Sequence, residues 1–196
     1  TGGIHVAGKL RNSGTGEIHF NSSHITITGE VDASKVGIQG FLDCHGNLYG
    51  KTLDIYSENG GVVTGKIIAD GGPITWIGGG TLSLKGGEIG NGNHGSLVFQ
   101  GLENLFLEKQ SRLFTFSSNL SILGLSGILS LEDSTLFSGG PVVISGKQGA
   151  LHLSKGALHL SNGTLHSNSS LNVNLESHLH CHNSLIQAEQ PMDLTL

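Results

Sequence analysis

Apolar residues fall at every second position along most of the chain. The alternation is clear in ITITGEVDA (25–33), LDIYS (53–57), VVTGKIIA (62–69) and TLSLKGGEI (81–89). It returns in LSILGLSGILSL (120–131), VVISGKQGALHL (142–153), LNVNL (171–175) and HLHCH (178–182). A period of two marks a strand with one buried face. Gly, Asn, Ser or Asp stands between the runs, and these residues accept sharp corners. No stretch sustains the i, i+3, i+4, i+7 spacing of a buried helix face. The longest segment that can be written as a helix, LENLFLEKQSRLF (102–114), fits strand–turn–strand equally well. The pattern predicts an all-β chain with almost no helix.

Strands this short, separated by glycine-rich corners, do not suit a sandwich or an up-and-down barrel, which use longer strands and tight hairpins. Two or three strand-plus-corner units sum to roughly 20 residues, the length of one coil of a β-solenoid whose coils stack ~4.8 Å apart. We therefore expect a single-stranded parallel β-helix of triangular coils over residues 1–196, as one continuous domain. The segment GALHLSKGALHLSNGTLHSNSS (149–170) repeats every seven residues, with Gly149, Gly156 and Gly163 on one phase and His152, His159 and His166 on another. Three such heptads make one triangular turn, so successive histidines fall on different walls. Stacking then predicts Leu171 and Val173 over Leu151 and Leu153, and Leu179 and Cys181 over Leu158 and Leu160. His180 comes to lie one strand from His159, flanked by His178 and His182.

Composition narrows the function. Charged residues make up 13% of the chain, about half the ~25% of ordinary soluble domains. The formal net charge is -5 and only Arg11 and Arg112 are arginines. Nothing supplies the clustered cations that nucleic acid requires. No apolar run approaches the ~18 residues of a spanning helix, so no membrane insertion is expected. Cys44 and Cys181 read as two small buried hydrophobes rather than a pair. Neither "TGGIHV" nor "MDLTL" looks like a natural terminus, and the chain reads as an internal slice of something longer.

Candidate chemistry is sparse. The spacing His178, His180, His182 projects three imidazoles from one side of a strand, and with His159 next door adjacent pairs could share a zinc ion. A solvent-facing histidine ladder without a ligand fits the same residues, and we expect no cofactor. The aspartates stand singly, without the paired carboxylates of glycoside hydrolysis or a calcium-binding cluster. Asp32 and Asp70, in GEVDAS and GKIIADGG, suggest corner hydrogen bonds to the backbone. GGGTLSLKGG (78–87) lacks the Lys-Ser/Thr ending and the helix of a phosphate loop. No catalytic residue is predicted, and an enzyme is not expected. Phe99, Phe106, Phe114, Phe116, Phe137 and Trp76 are grouped. Some should stack in the core, while Trp76 and Phe106 are candidates for an exposed contact patch facing a glycan, a neighbouring domain or another copy.

GEIHFNSSHITITGEVDAS (16–34) and the stretch from GGVVTGKIIADGG to GSLVFQG (60–101) resemble the repeats of filamentous-haemagglutinin-like exoproteins. Ile25, Ile27, Gly29, Val31 and Ala33 match that repeat, as do Gly65, Ile67 and Ala69. The secretion-domain signature NPNG of that family is absent. The resemblance implies a right-handed parallel β-helix serving as a non-enzymatic, adhesive stalk of a bacterial surface or secreted protein. Its partners would be a host receptor, a glycan or neighbouring coils of the same polypeptide. GGI (2–4), GGVV (60–63) and FSSN (116–119) are similar to motifs of chlamydial polymorphic outer-membrane proteins, which are autotransported. TGKIIADG looks like the coils of bactofilins, which implies the alternative of a scaffold that self-associates end to end. A carbohydrate-active β-helix of the lyase or hydrolase type is the second alternative.

Overall fold

The computed structural model describes residues 2–127, 129–132, 134–140 and 142–146 and, beyond them, the strands Ala157–Ser161, Thr164–Ser167, Leu171–Asn174, His178–His182, Leu185–Ala188 and Met192–Thr195. Among these residues there is no helix, and every strand pairing is parallel. Ile4 pairs with Ile25, and the same row continues through Leu42, Gly61, Leu82 and Leu105 to Leu129. The chain thus winds as a β-solenoid, about six turns of about 21 residues each over this span. The register carries on from Leu129 to Leu158 and then to Leu179.

Three walls surround one core. The second is built on the row Leu10, Val31, Leu48, Ile67, Ile89, Leu113, Leu136. The third is built on Phe20, Ile38, Ile55, Trp76, Phe99, Ile122, Ile144. Apart from Leu10 in the first coil, these side chains are buried, most of them completely. Each fully buried aliphatic or aromatic side chain contributes about 1.5–3 kcal/mol through loss of apolar surface from water. The period-two alternation is what aims one side of each strand at this spine.

Glycine makes the corner between the first and second walls. Gly29, Gly46 and Gly65 stack on one another, and a Cβ at each would lie 2.0, 2.0 and 1.8 Å from the carbonyl oxygen of Gly8, Gly29 and Gly46 respectively. That closeness exists because the next residue of each coil donates its N–H to the same carbonyl: Glu30 to Gly8 at 2.9 Å, Asn47 to Gly29 at 2.8 Å and Lys66 to Gly46 at 2.9 Å. The corner between the second and third walls uses buried polar side chains instead. Asn91 accepts from the backbone N–H of Asn93 and Gly95, each at 3.1 Å, and donates to Gly72 O. One coil on, the Thr115 and Ser138 hydroxyls lie 3.2 Å apart and both donate to Ser118 O. Buried polar groups are tolerated here because the turning backbone pairs with them.

The heptads follow the expected geometry in part. The strands that begin at Ala157, Thr164, Leu171, His178, Leu185 and Met192 are spaced by seven residues, so three heptads complete one turn. Leu179 and Cys181 lie beside Leu158 and Leu160, as the pattern predicts. Leu171 and Val173, however, pair with Val142 and Ile144 rather than with Leu151 and Leu153. The physical reason is coil length. Leu129 to Leu158 spans 29 residues, against 21 for Leu158 to Leu179. That coil therefore holds about one heptad more than a turn needs. Leu151, His152 and Leu153 lie outside the described residues.

Candidate functional surfaces

The outward positions of the second wall form a ladder of opposite charges. Lys9 and Arg11 meet Glu30 at 3.3 and 3.4 Å, and Arg11 Nε lies 3.1 Å from Asp32. Three coils on from Glu30, Glu88 lies between Lys66 at 3.3 Å and Arg112 at 3.6 Å. Asp32 is thus an ion-pair partner inside a strand and not the corner residue its sequence context suggested. Asp70 does sit at a corner, where it accepts a hydrogen bond from the Asn93 side chain one coil away. On the third wall Glu17 holds His19 at 2.7 Å and Lys35 at 3.6 Å, and Lys35 also reaches Asp54 at 3.8 Å. The His19 hydrogen bond, and then the Lys35 charge, hold the Glu17 carboxyl below its ordinary pKa.

The histidine candidates separate by register. His159 and His180 are direct neighbours on adjacent strands, with Ala157 beside His178 and Ser161 beside His182. His166 lies on the next wall, beside Phe137. His159 and His166 therefore belong to different faces, as the heptad geometry requires. His159, His178, His180 and His182 are placed here by backbone register alone. Among the residues whose side chains are described, no three His, Cys, Asp or Glu converge in the manner of a metal site. Cys44 is buried, and burial pushes its thiol up to about 12. Cys181 lies on the same register row, six strand steps away through Val63, Leu84, Leu107, Leu131 and Leu160. At ~4.8 Å per step this is about 29 Å, far beyond disulfide reach.

The aromatic residues divide between core and surface. Trp76 does not belong to an exposed contact patch: it is 0% exposed and stacks between Ile55 and Phe99. Its indole fits because Gly61 faces it, where a Cβ would approach the ring to 3.0 Å. Phe106 takes an outward position between Ser83 and Ser130 and is half-buried. A larger outer cluster surrounds Phe116, which is 54% exposed, with ring centroids 5.2 Å from Phe114 and 6.1 Å from Phe137. Phe114 lies on the outer face yet is covered, because its ring folds down over Gly90 and carries the Arg112 guanidinium at 5.2 Å. Alternation identifies these three as outward residues, but their convergence depends on which coils become neighbours.

A groove that the sequence pattern does not reveal crosses the corner between the third and first walls. Its cause is unequal corner length. One coil passes from Gln39 to Phe41 through Gly40 alone, while the coil before it inserts Ser22 and Ser23 between Asn21 and His24. The coil after it inserts Ser57, Glu58 and Asn59 between Tyr56 and Gly60. The short corner is recessed between two longer ones and leaves an open groove of about 760 Å³. Gly40 forms the floor with φ at +136°, and a Cβ there would fall 1.7 Å from Ser22 O. Tyr56, 51% exposed, stands at one side. Phe41 lines the other part and stacks on His24 with ring centroids 5.1 Å apart. The hollow beside it, walled by His19, Lys35 and Asp54, shares Asn21, Gln39 and Tyr56.

Comparison with known proteins identifies no matching family model, no similar curated protein and no similar solved structure.

Proposed function

We propose that this chain is a non-enzymatic structural and adhesive segment of a bacterial surface or secreted protein, a stiff spacer that holds contact surfaces away from its anchor. The observation that carries this reading is the parallel register that runs from Ile4 to Leu179, around a single apolar spine that the described side chains form as far as Ile144. Among the described residues the strands of each inner coil pair with the coils on either side on all three walls, a quasi-one-dimensional stack. The open volume lies on the flanks, in shallow hollows between corners, where a partner can be met laterally. Its partners are a host receptor, a glycan or neighbouring coils of the same polypeptide. The resemblance of the coils to filamentous-haemagglutinin-like repeats points the same way.

The test is binding of the purified chain to host cells and extracellular matrix, together with sedimentation and electron microscopy. Saturable binding by an elongated monomer is expected. Filaments growing from purified monomer would replace this reading with the self-associating scaffold, and calcium-dependent cleavage of acidic polysaccharide would replace it with a lyase. The absence of binding to any surface would remove the adhesive part.

A further inference from the structure

The groove over Gly40 points to a specific ligand class, and we propose that it holds a neutral oligosaccharide. The assignment rests on the adhesive reading in one respect only, since it names what one contact surface of the rod would hold. The lining pairs ring faces with hydrogen-bonding groups that, apart from Glu58, carry no charge. Tyr56 and Phe41 supply the rings, Asn21, Gln39 and Asn59 the amides, and Ser22 and Ser23 hydroxyls. An amide offers two donors and an acceptor in a fixed plane, which suits vicinal sugar hydroxyls. An exposed aromatic face suits the C–H side of a pyranose and loses water on contact. A groove with an apolar body and a few convergent polar groups is the usual form of a small-molecule site.

Other ligand classes fit less well. An anionic ligand would meet Glu58 in this groove and Asp54 beside it. Lys35, in the adjoining hollow, is already shared between Glu17 and Asp54. An extended peptide cannot add a strand at Gln39 or Tyr56, because each pairs with a coil on both sides, and strand addition needs a free edge. The apolar lining of Tyr56, Phe41 and Ile77 is interrupted by amides and hydroxyls, which a lipid chain would leave unpaired.

The experiment titrates the whole chain with cellohexaose, chitohexaose and maltohexaose, with a heparin-derived hexasaccharide as the anionic probe. Saturation-transfer NMR and calorimetry are the readouts. At least one neutral probe should saturate, with saturation passing from the protein's aromatic protons to the sugar, and Tyr56→Ala should weaken binding tenfold or more. Phe116→Ala, in the other aromatic cluster, should leave binding unchanged. Tyr56 is half exposed, so circular dichroism of the variant should match the parent; should it misfold, Gln39→Ala/Asn59→Ala gives the same test through the amides. The proposal is overturned if no neutral probe saturates, if the groove variants bind like the parent, or if only the heparin fragment binds. Cell binding separates the two readings: a chain that binds cells equally well with and without Tyr56 keeps the adhesive role and loses the groove. A chain that binds sugar but no surface does the reverse.

Discussion

A single atom decides whether a corner residue can be replaced. At Gly65 a Cβ would sit 1.8 Å from Gly46 O, a backbone atom that no side-chain movement can relieve, whereas at Gly92 the nearest atom is Ala69 O at 3.8 Å. Gly65→Ala should therefore cost about 3 kcal/mol or more by forcing two coils apart, while Gly92→Ala should change stability by less than about 0.5 kcal/mol, as at an ordinary surface site. Urea unfolding of the two variants compares them directly. The same core explains Cys44. Its thiol is raised from 9.0 to about 12 by burial first and by the neighbouring Asp43 charge second. The folded state holds the proton more tightly than the unfolded state, so this contribution is intact below pH 9 and is lost as pH rises from 9 toward about 12. In a Cys181→Ser background, Cys44 should not react with a thiol reagent at pH 8 until denaturant is added. Rapid labelling of the folded chain would show that the thiol is accessible.

Strands here are held in register by inward packing, and the outward charges add to it. Glu88 takes the place between Lys66 and Arg112, on a face where each strand meets its neighbours in register. These side chains are partly exposed, so each pair is worth less than about 1 kcal/mol, and Glu88→Gln should shift stability by no more than that. Glu88→Lys should cost more, because it places three cations in line across adjacent strands. Raising the salt concentration should recover part of that loss and leave Glu88→Gln nearly unchanged. Thermal unfolding at low and high salt measures both. A charge reversal that is silent at low salt would mean that these contacts do not constrain the coils.

The molecule as a whole is a stack in which the number of residues per turn is set coil by coil. Between Leu129 and Leu158 the chain spends 29 residues where the next turn spends 21. Deleting residues 149–155 should therefore leave a chain that still folds, with unchanged far-ultraviolet circular dichroism and a midpoint within a few degrees of the parent. Deleting the equally long segment 157–163 removes the strand Ala157–Ser161, which pairs with coils on both sides. That deletion should broaden or split the thermal transition, since stability in a solenoid passes from neighbour to neighbour. Equal effects from the two deletions would mean that the first heptad is also part of the winding.

The parallel coil and its apolar rows could be read from the chain because they rest on short-range rules. A pleated strand alternates its side chains whatever surrounds it, and glycine marks the places where no Cβ fits; where the chain also repeats every seven residues, the pairing of Leu158 and Leu160 with Leu179 and Cys181 follows as well. Only the tertiary structure decided what depends on how much chain each turn consumes. That quantity set Leu171 against Val142, brought Phe114, Phe116 and Phe137 together, and opened the groove beside Tyr56 where one corner is shorter than its neighbours. It also placed Trp76 inside, because the space for an indole is supplied by Gly61 across the core on another wall. Alternation is a property of a strand, whereas a cavity or a surface cluster is a property of the strands that become neighbours.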